Sequence, residues 1–191
     1  MGHAIQTLVQ MKEMKSHLGI LADDTNKDED LLEFIKRITD SIESETGREF
    51  SYATYTEFHD GTGQIGELTL KQYPVDSSAT FQIWDDTGRI YDAANVLSTD
   101  DYTVDNDAGI VRLDGSLVFN KGRNNIKVIY SAGYKEIPED LKRAVILLAS
   151  ADFIETQGNM NINTEFQQAS RIEIMRTQAD KIIDKYRRPI F

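Results

Sequence analysis

The three histidines are the side chains in this sequence best suited to bind a transition metal or to move a proton in catalysis. His3, His17 and His59 lie far apart in the sequence, and none belongs to an H-x-x-H or H-E-x-x-H motif. Such motifs place two imidazoles on one face of a helix, where both can bind the same ion. The sequence therefore offers little for a zinc site or for a facial metal triad.

An acidic segment in the N-terminal part of the chain imitates a calcium-binding loop. Four oxygen-bearing side chains alternate there as the first ligands of an EF-hand do: Asp24, Asn26, Asp28 and Asp30. The imitation fails at two positions, because Glu29 replaces the turn glycine and Ile35 replaces the bidentate glutamate. We therefore predict an exposed turn followed by an acidic helix N-terminus, which the helix dipole favours.

The G-x-G-x-x-G pattern from Gly61 to Gly66 has the spacing of a phosphate-binding loop. A dinucleotide site needs this pattern between a strand and a helix, so that the phosphate meets the helix N-terminus. Here the pattern leads into Glu67-Leu68-Thr69-Leu70, which alternates as a strand does. The pattern therefore predicts a glycine-rich hairpin turn.

Other signatures of catalysis are missing from the sequence. There is no cysteine, no G-x-S-x-G elbow and no G-x-x-x-x-G-K-[ST] loop. Paired carboxylates are common, but a chain with 32 acidic residues is expected to contain them. A hydrolase would need a cleft with displaced carboxylate pKa values, and nothing in the sequence points to one. We predict a protein that is not an enzyme and that uses no cofactor or metal.

The formal net charge of −11 restricts the partners of the protein. A protein that grips a nucleic-acid backbone needs a basic patch, so the charge disfavours that function. An acidic surface can instead line a passage through which DNA slides without sticking. No apolar run is long enough to span a membrane, and the start lacks the apolar segment of a signal peptide. We expect a soluble protein that remains in the cytoplasm of the cell that makes it.

Helical patterns occupy both ends of the sequence, beginning with two N-terminal helices. A capping box from Thr7 to Gln10 predicts a short first helix that ends at Gly19. The second helix is expected from about Asp28 to Thr46. Its apolar stripe consists of Leu31, Leu32, Ile35, Ile38 and Ile42, with Phe34 on the shoulder.

Between the helical parts, short alternating runs and turn clusters extend from about Tyr52 to Tyr130. This pattern predicts an antiparallel β region of about five to seven strands. Trp84 ends one strand and is expected to be a half-buried anchor. A concave aromatic pocket around Trp84, Tyr91 and Tyr102 would instead indicate a ligand- or carbohydrate-binding module.

The stretch from Asn125 to Thr156 joins a strand, a turn at Gly133 and a helix that begins near Pro138. From Ala144 to Phe153 nearly every residue is apolar or small. A helix with one wet side would show a stripe instead. We therefore expect this helix to be packed on more than one side, by its own domain or by a neighbouring subunit.

The last helix is expected from about Thr164 to Arg187. Its apolar stripe consists of Ile172, Met175, Ala179, Ile182, Ile183 and Tyr186. Phe166 and Ile174 point away from the stripe, either as isolated exposed residues or as contacts with a partner. The segment from Arg187 to Phe191 is either a frayed end or a docking segment.

Together these patterns predict an α+β fold. It is mainly a bundle of four helices, with an antiparallel β region inserted between helices 2 and 3. The helical domain is expected to comprise residues 1–51 and 131–191, and the β region residues 52–130.

Several short motifs occur in a fixed order along the chain. They are Leu31-Leu32-Glu33-Phe34-Ile35, Thr46-Gly47-Arg48-Glu49-Phe50, Glu57-Phe58-His59-Asp60-Gly61, Leu68-Thr69-Leu70 with Tyr73-Pro74-Val75, and Val128-Ile129-Tyr130-Ser131-Ala132-Gly133-Tyr134 with Ile137-Pro138-Glu139-Asp140-Leu141-Lys142. In this order and spacing the chain resembles the head–tail connector proteins (adaptor, or head-completion, proteins) of tailed bacteriophages and prophages. The resemblance extends from about Thr7 to Phe153.

The resemblance implies a structural protein of the virion, located at the head–tail interface. Its subunits would form a ring, commonly of twelve copies, beneath the portal protein and would extend the DNA channel. The ring would offer a platform to a stopper or tail-completion protein, and DNA would pass through the lumen without specific binding. The alternative is a ligand- or carbohydrate-binding β module of a phage tail or baseplate accessory protein. The candidate residues for the partner interface are Phe166, Ile174, Arg187, Arg188, Ile190 and Phe191.

Overall fold

The computed structural model of the protein describes residues 7–157 and 165–187. Its helices and strands follow one another as α1 Met11–Leu18, α2 Asp28–Thr46, β1 Ala53–Gly61, β2 Glu67–Thr69, β3 Gln82–Asp85, β4 Tyr102–Asp105, β5 Ile110–Leu113, β6 Gly122–Ala132, α3 Glu139–Gln157 and α4 Glu165–Ile183. The chain divides into a helical unit, Met1–Arg48 with Glu136–Phe191, and a β unit, Glu49–Lys135. The predicted α+β class, with four helices and antiparallel sheets, is confirmed.

Helix α1 begins later than the sequence predicts. Its capping box is formed by Gln10 and Glu13, whose Oε2 accepts the Gln10 N–H at 2.8 Å. Leu8 and Val9 precede the helix and are buried. The local pattern fits at Thr7 as well as at Gln10, and a short-range pattern alone does not choose between the two starts.

Helix α2 has the predicted bounds, but its buried face is rotated from the predicted stripe. Phe34, expected on the shoulder, is only 8% exposed, whereas Leu32 is 39% exposed. The rotation follows from packing against α3, because the Phe34 ring meets that of Phe153 edge to face at 6.2 Å. The buried apolar residues of α2 are therefore Leu31, Phe34, Ile35, Ile38 and Ile42.

Helix α3 is the centre of the helical unit and packs against α1, α2 and α4. Its buried apolar side chains are Leu141, Ala144, Val145, Leu147, Ala149, Ala151, Phe153 and Ile154. The expectation that α3 is covered on more than one side is correct, and the helices of its own unit provide that cover. A neighbouring subunit is not needed to explain the apolar sequence of α3.

The strands of the β unit form two antiparallel three-stranded sheets, in the orders β1-β6-β3 and β2-β5-β4. Strand β6 is the centre of the first sheet, where Val128 pairs with Glu57 on β1 and with Ile83 on β3. One cluster of buried side chains joins the two sheets. It consists of Leu68, Leu70, Val75, Ile83, Tyr102, Val111, Phe119, Ile126, Val128, Tyr130 and Ala132.

Candidate functional site

The histidines are not part of a metal site in the described part of the chain. His17 lies on α1 and His59 on β1, while His3 lies outside the described residues. Within residues 7–157 and 165–187, no group of three or more histidine, aspartate or glutamate side chains is placed to hold a metal ion. In the same residues, every helix is too short or too polar to cross a membrane.

The acidic segment that imitates a calcium loop makes local contacts. Asp24 Oδ1 accepts the Asn26 N–H at 3.1 Å and so closes a tight turn. Asp28 is the first residue of α2, and its Oδ1 lies 2.6 Å from Nζ of Lys15, a buried lysine of α1. These contacts hold the start of α2 against α1.

The glycine pattern from Gly61 to Gly66 connects two sheets, so the prediction of a hairpin turn is wrong. It lies between β1 and β2, but β1 pairs with β6 and β2 pairs with β5. The Leu113 N–H donates to the Gly66 carbonyl at 2.7 Å, and a Cβ on Gly66 would lie 2.5 Å from the carbonyl oxygen of Leu117. The glycine is therefore needed for close backbone approach, and no helix follows to bind a phosphate.

Glu57 is a buried carboxylate of the β unit with partners from three parts of the chain. Its Oε1 accepts a hydrogen bond from the Tyr130 hydroxyl, and its Oε2 lies 2.8 Å from Nε2 of His59. The Lys71 N–H donates to Oε1 at 3.0 Å. The Tyr130 hydroxyl accepts the Gln72 N–H, also at 3.0 Å. This polar network therefore fixes the segment at Lys71 and Gln72 against β1 and β6.

The protonation states of this network follow from its contacts. Burial alone would raise the pKa of Glu57, but hydrogen bonds from His59, Tyr130 and the Lys71 amide outweigh burial and lower it. Burial, the hydrogen bond to Glu57 and the charge of that carboxylate raise the pKa of Tyr130. At neutral pH, Glu57 is therefore an anion held by three donors. Such a carboxylate is a poor general base, and the network is suited to a structural role.

A groove of about 660 Å³ opens beside the Glu57 network. Its lining includes the cations Lys71 and Arg89 and the rings of Phe58 and Tyr91, whose centroids are 5.5 Å apart. Arg89 and Tyr91 have positive φ values of 58° and 56°, which are unusual for residues with a side chain. The carboxylate of Asp86 stabilises this backbone by accepting the Tyr91 N–H at 2.8 Å.

The three aromatic residues proposed for a ligand pocket do not form one. Lys127 Nζ lies 4.7 Å from the centroid of the Trp84 ring and 5.4 Å from that of the Tyr91 ring. Tyr102 is buried in the apolar cluster, with its ring 5.8 Å from that of Phe81. Trp84 is also buried and serves as an anchor. The alternative of a ligand-binding module is therefore not favoured.

The predicted partner-interface residues are described only in part. Ile174 on α4 is 56% exposed. Arg187 pairs with Glu45 of α2 and with Asp184, whose Oδ1 is 2.6 Å from Arg187 Nη1. The side chain of Phe166 lies outside the described residues, as do Arg188, Ile190 and Phe191. The exposure of Ile174 and the charge of Arg187 leave both residues as candidates.

The helical unit has a groove of about 800 Å³ between α1 and α3, which sequence reasoning missed. We call it the basic groove, and its basic and apolar lining residues are Lys12, His17, Lys142, Arg143, Ile146 and Leu147. The four residues of α3 are three or four positions apart across the set, which is the spacing of a shared helix face. The groove was missed because nothing local in the sequence shows that α1 and α3 meet.

Two solved structures share the fold of this chain. The neck of an empty GTA (gene transfer agent) particle, computed with C6 symmetry, has a TM-score of 0.64 and 17% identity, covering 100% of this chain and 95% of that chain. The neck of a native GTA particle, computed with C12 symmetry, has a TM-score of 0.57 and 19% identity, covering 92% of both chains. No curated protein matches the sequence.

The family of head completion proteins matches the sequence over residues 7–189. The matched range includes nearly all of the helical unit and the whole of the β unit. The resemblance inferred from the ordered motifs is thereby confirmed, together with a structural role at the connection of head and tail. The protein belongs to the head completion protein family.

Proposed function

We propose that the protein is a structural connector that completes the head of a tailed phage or phage-like particle. The observation that carries this proposal is the family match over residues 7–189. The site geometry agrees, because the carboxylate of Glu57 holds backbone segments together and its hydrogen bonds make it a poor general base. The role is mechanical, with no catalytic step.

The connector acts as a ring, and we expect twelve copies in the particle. Support comes from the neck structures with the same fold, which were computed with C6 and C12 symmetry. A closed ring needs two different faces on each subunit that fit each other. The apolar faces of the helices are covered within their own unit, so the faces that form the ring contact are built from the charged and partly apolar outer surface.

The ring sits between the portal protein on the head side and a stopper or tail-completion protein on the tail side. DNA passes through the lumen without specific binding. The formal net charge of −11 supports this arrangement, because an acidic surface does not retain a polyanion. The protein is made in the cytoplasm of the bacterial host and ends in the particle at the head–tail junction.

Deletion of the gene tests the proposed function. We expect particles with DNA-filled heads and no attached tails, seen by negative-stain imaging, and recovery of tailed particles when the wild-type gene is supplied. A blot of purified wild-type particles should detect the protein. Normal tailed particles without the protein, or its absence from wild-type particles, would overturn the proposal.

Portal attachment is assigned to the C-terminal segment, together with Ile174. Deleting Arg188 to Phe191 should leave the melting curve unchanged and weaken capture by the portal protein in a pull-down assay. The matched control is Ile65→Ser, which changes an exposed apolar residue of the β unit and should leave capture unchanged. Unchanged capture after the deletion would remove the segment from the portal contact.

A further inference from the structure

We propose that the basic groove is one half of the contact between neighbouring subunits, and that it receives the acidic start of α2 from the next copy in the ring. The receiving side is the basic groove, which is formed by residues of α1 and α3. The inserted side is the segment 21–33, which contains the loop before α2 and its first turns. This inference rests on the proposed ring.

The lining of the basic groove also contains two carboxylates, Glu13 and Glu139, but the three cations Lys12, Lys142 and Arg143 leave it with a net positive charge. Lys142 is neutralised by Glu139 at 2.7 Å and by Glu13 at 3.3 Å. Arg143 and Arg171 form no ion pair with any residue in the described part of the chain. Unpaired cations close together repel one another, and an anionic partner would relieve that cost.

His17 lies in the basic groove and is affected by the positive charges around it. Burial lowers its pKa, and the positive charges of Arg171 and Arg143 lower it further. Arg171 lies on α4 and Arg143 on α3, so two helices bring positive charge close to His17 on α1. The groove also has apolar lining, since Ile146 is half-buried and Leu147 is buried. It therefore fits a segment that carries both carboxylates and an apolar side chain.

The segment 21–33 has this composition. Leu21 is 73% exposed, and Leu32 is also exposed. Around them stand the exposed carboxylates of Asp23, Asp24, Glu29, Asp30 and Glu33. Asp23, Glu29 and Glu33 form no ion pair within residues 7–157 and 165–187. Their charges are therefore available to an external cationic surface.

The two surfaces complement each other in charge and in apolar content, and they belong to different helices of the same unit. A contact of this kind is heterologous, and a heterologous contact repeated with the right rotation closes a ring. The basic groove of the last subunit then receives the acidic segment of the first, so that no surface remains unpaired. A two-fold dimer would also pair the two surfaces, because each groove would receive the other copy's segment, so the choice of a ring rests on the proposed function.

Charge reversal in assembled particles tests the contact. Arg143→Glu with Arg171→Glu reverses the groove, and Glu29→Lys with Glu33→Lys reverses the segment. Each pair should lower the number of copies per portal, measured by quantitative blot, about tenfold, because like charges then face each other. Combining all four changes in one chain should restore incorporation. The matched control, Lys36→Glu with Lys181→Glu, changes the net charge equally outside the groove and should have no effect.

The outcomes separate this inference from the proposed function. Absence of the wild-type chain from particles would overturn the proposed function itself. Incorporation of wild type with no effect of groove reversal would overturn the subunit contact alone. Groove reversal could also lower incorporation while the combined variant fails to restore it. Another partner, such as the portal, would then occupy the groove, and the assignment to a subunit contact would be overturned. Melting curves, with Arg143→Gln and Arg171→Gln as the milder pair, distinguish these results from misfolding.

Discussion

The helical unit and the β unit both bury apolar and polar side chains, but they differ in how far networks of side-chain hydrogen bonds contribute to the interior. In the helical unit, α2, α3 and α4 meet through apolar side chains, and the Phe34 and Phe153 rings are at the centre of one such contact. In the β unit, hydrogen-bonded polar groups reach deep into the interior. Glu57 and Asn125 are both buried there.

The polar interior of the β unit is tied to its irregular backbone. The Asn125 side chain accepts the Gly61 N–H at 2.9 Å and donates to the Asn120 carbonyl at 2.8 Å. This lies where the pairing of β1 with β6 changes register, between His59 and Gly61. Backbone groups that leave the regular ladder need other partners, and side chains such as Asn125 supply them.

The difference has a physical consequence. Apolar contacts are insensitive to protonation, so the contact between Phe34 and Phe153 should persist over a wide pH range. The β unit depends on a charged carboxylate and should respond to acid. Three predictions test this comparison.

The largest effect is expected for Phe153→Ala in the helical unit. Phe153 is only 5% exposed, and its removal leaves a cavity beside Phe34. The free energy of unfolding should fall by roughly 3–5 kcal/mol, measured by denaturant titration with the far-ultraviolet helix signal. Ile174→Ala, at an exposed position of α4, should change it by less than about 0.5 kcal/mol.

The same titration read by tryptophan fluorescence sharpens the comparison, because Trp84 is the one tryptophan and lies in the β unit. We expect the helix signal to shift more than the fluorescence signal in Phe153→Ala. Equal shifts would mean that both units unfold in one cooperative step. They would contradict the expected difference between the two units.

A smaller, pH-dependent effect is expected for Glu57→Gln in the β unit. The glutamine side chain is neutral, so it accepts weaker hydrogen bonds from His59, Tyr130 and Lys71 than the carboxylate does. The free energy of unfolding at neutral pH should therefore fall by about 1–3 kcal/mol. The pKa of Glu57 is lowered on folding, so its contribution is present above the ordinary value of 4.5 and is lost as the pH falls below it. The difference between wild type and Glu57→Gln should therefore shrink on acidification.

Trp84 fluorescence during denaturation at several pH values measures this difference. His59→Leu is a useful comparison, because it keeps the Glu57 carboxylate and removes one of its hydrogen-bond partners. The difference in stability between wild type and Glu57→Gln could instead stay constant from neutral pH to well below 4.5. That result would show that ionisation of Glu57 does not stabilise the β unit.

The parts of the fold that the sequence predicted are those with strong local periodicity. The bounds of α2, Asp28 and Thr46, follow from its stripe and from the stop at Gly47, whose φ is 68°. The six strands lie in the predicted alternating runs. Local patterns fail where distant segments decide the outcome, as for Leu32 and for the connection that begins at Gly61.

The site was predictable only in fragments, for the same reason. The alternation of Glu57 and His59 places both side chains on one face of β1, which hints at a polar pair. Their contact with Tyr130 depends on strand pairing between segments far apart in the sequence. The exposure of Ile174 was expected from the stripe of α4, but the meeting of His17 with Arg143 and Arg171 depends on packing of three helices.

The smallest expected effect is at Ser150, a buried polar residue of α3. Ser150 is fully buried, and its Oγ has no hydrogen-bond partner in the described part of the chain. Ser150→Ala removes a desolvated hydroxyl and favours the helix, so stability should stay equal or rise by up to about 1 kcal/mol. Ala149→Ser, at the neighbouring buried position, adds such a hydroxyl and should lower stability by about 1–3 kcal/mol. If Ser150→Ala is clearly destabilising in thermal denaturation, the hydroxyl has a partner. The interior of the helical unit would then depend on directional polar contacts, as the β unit does.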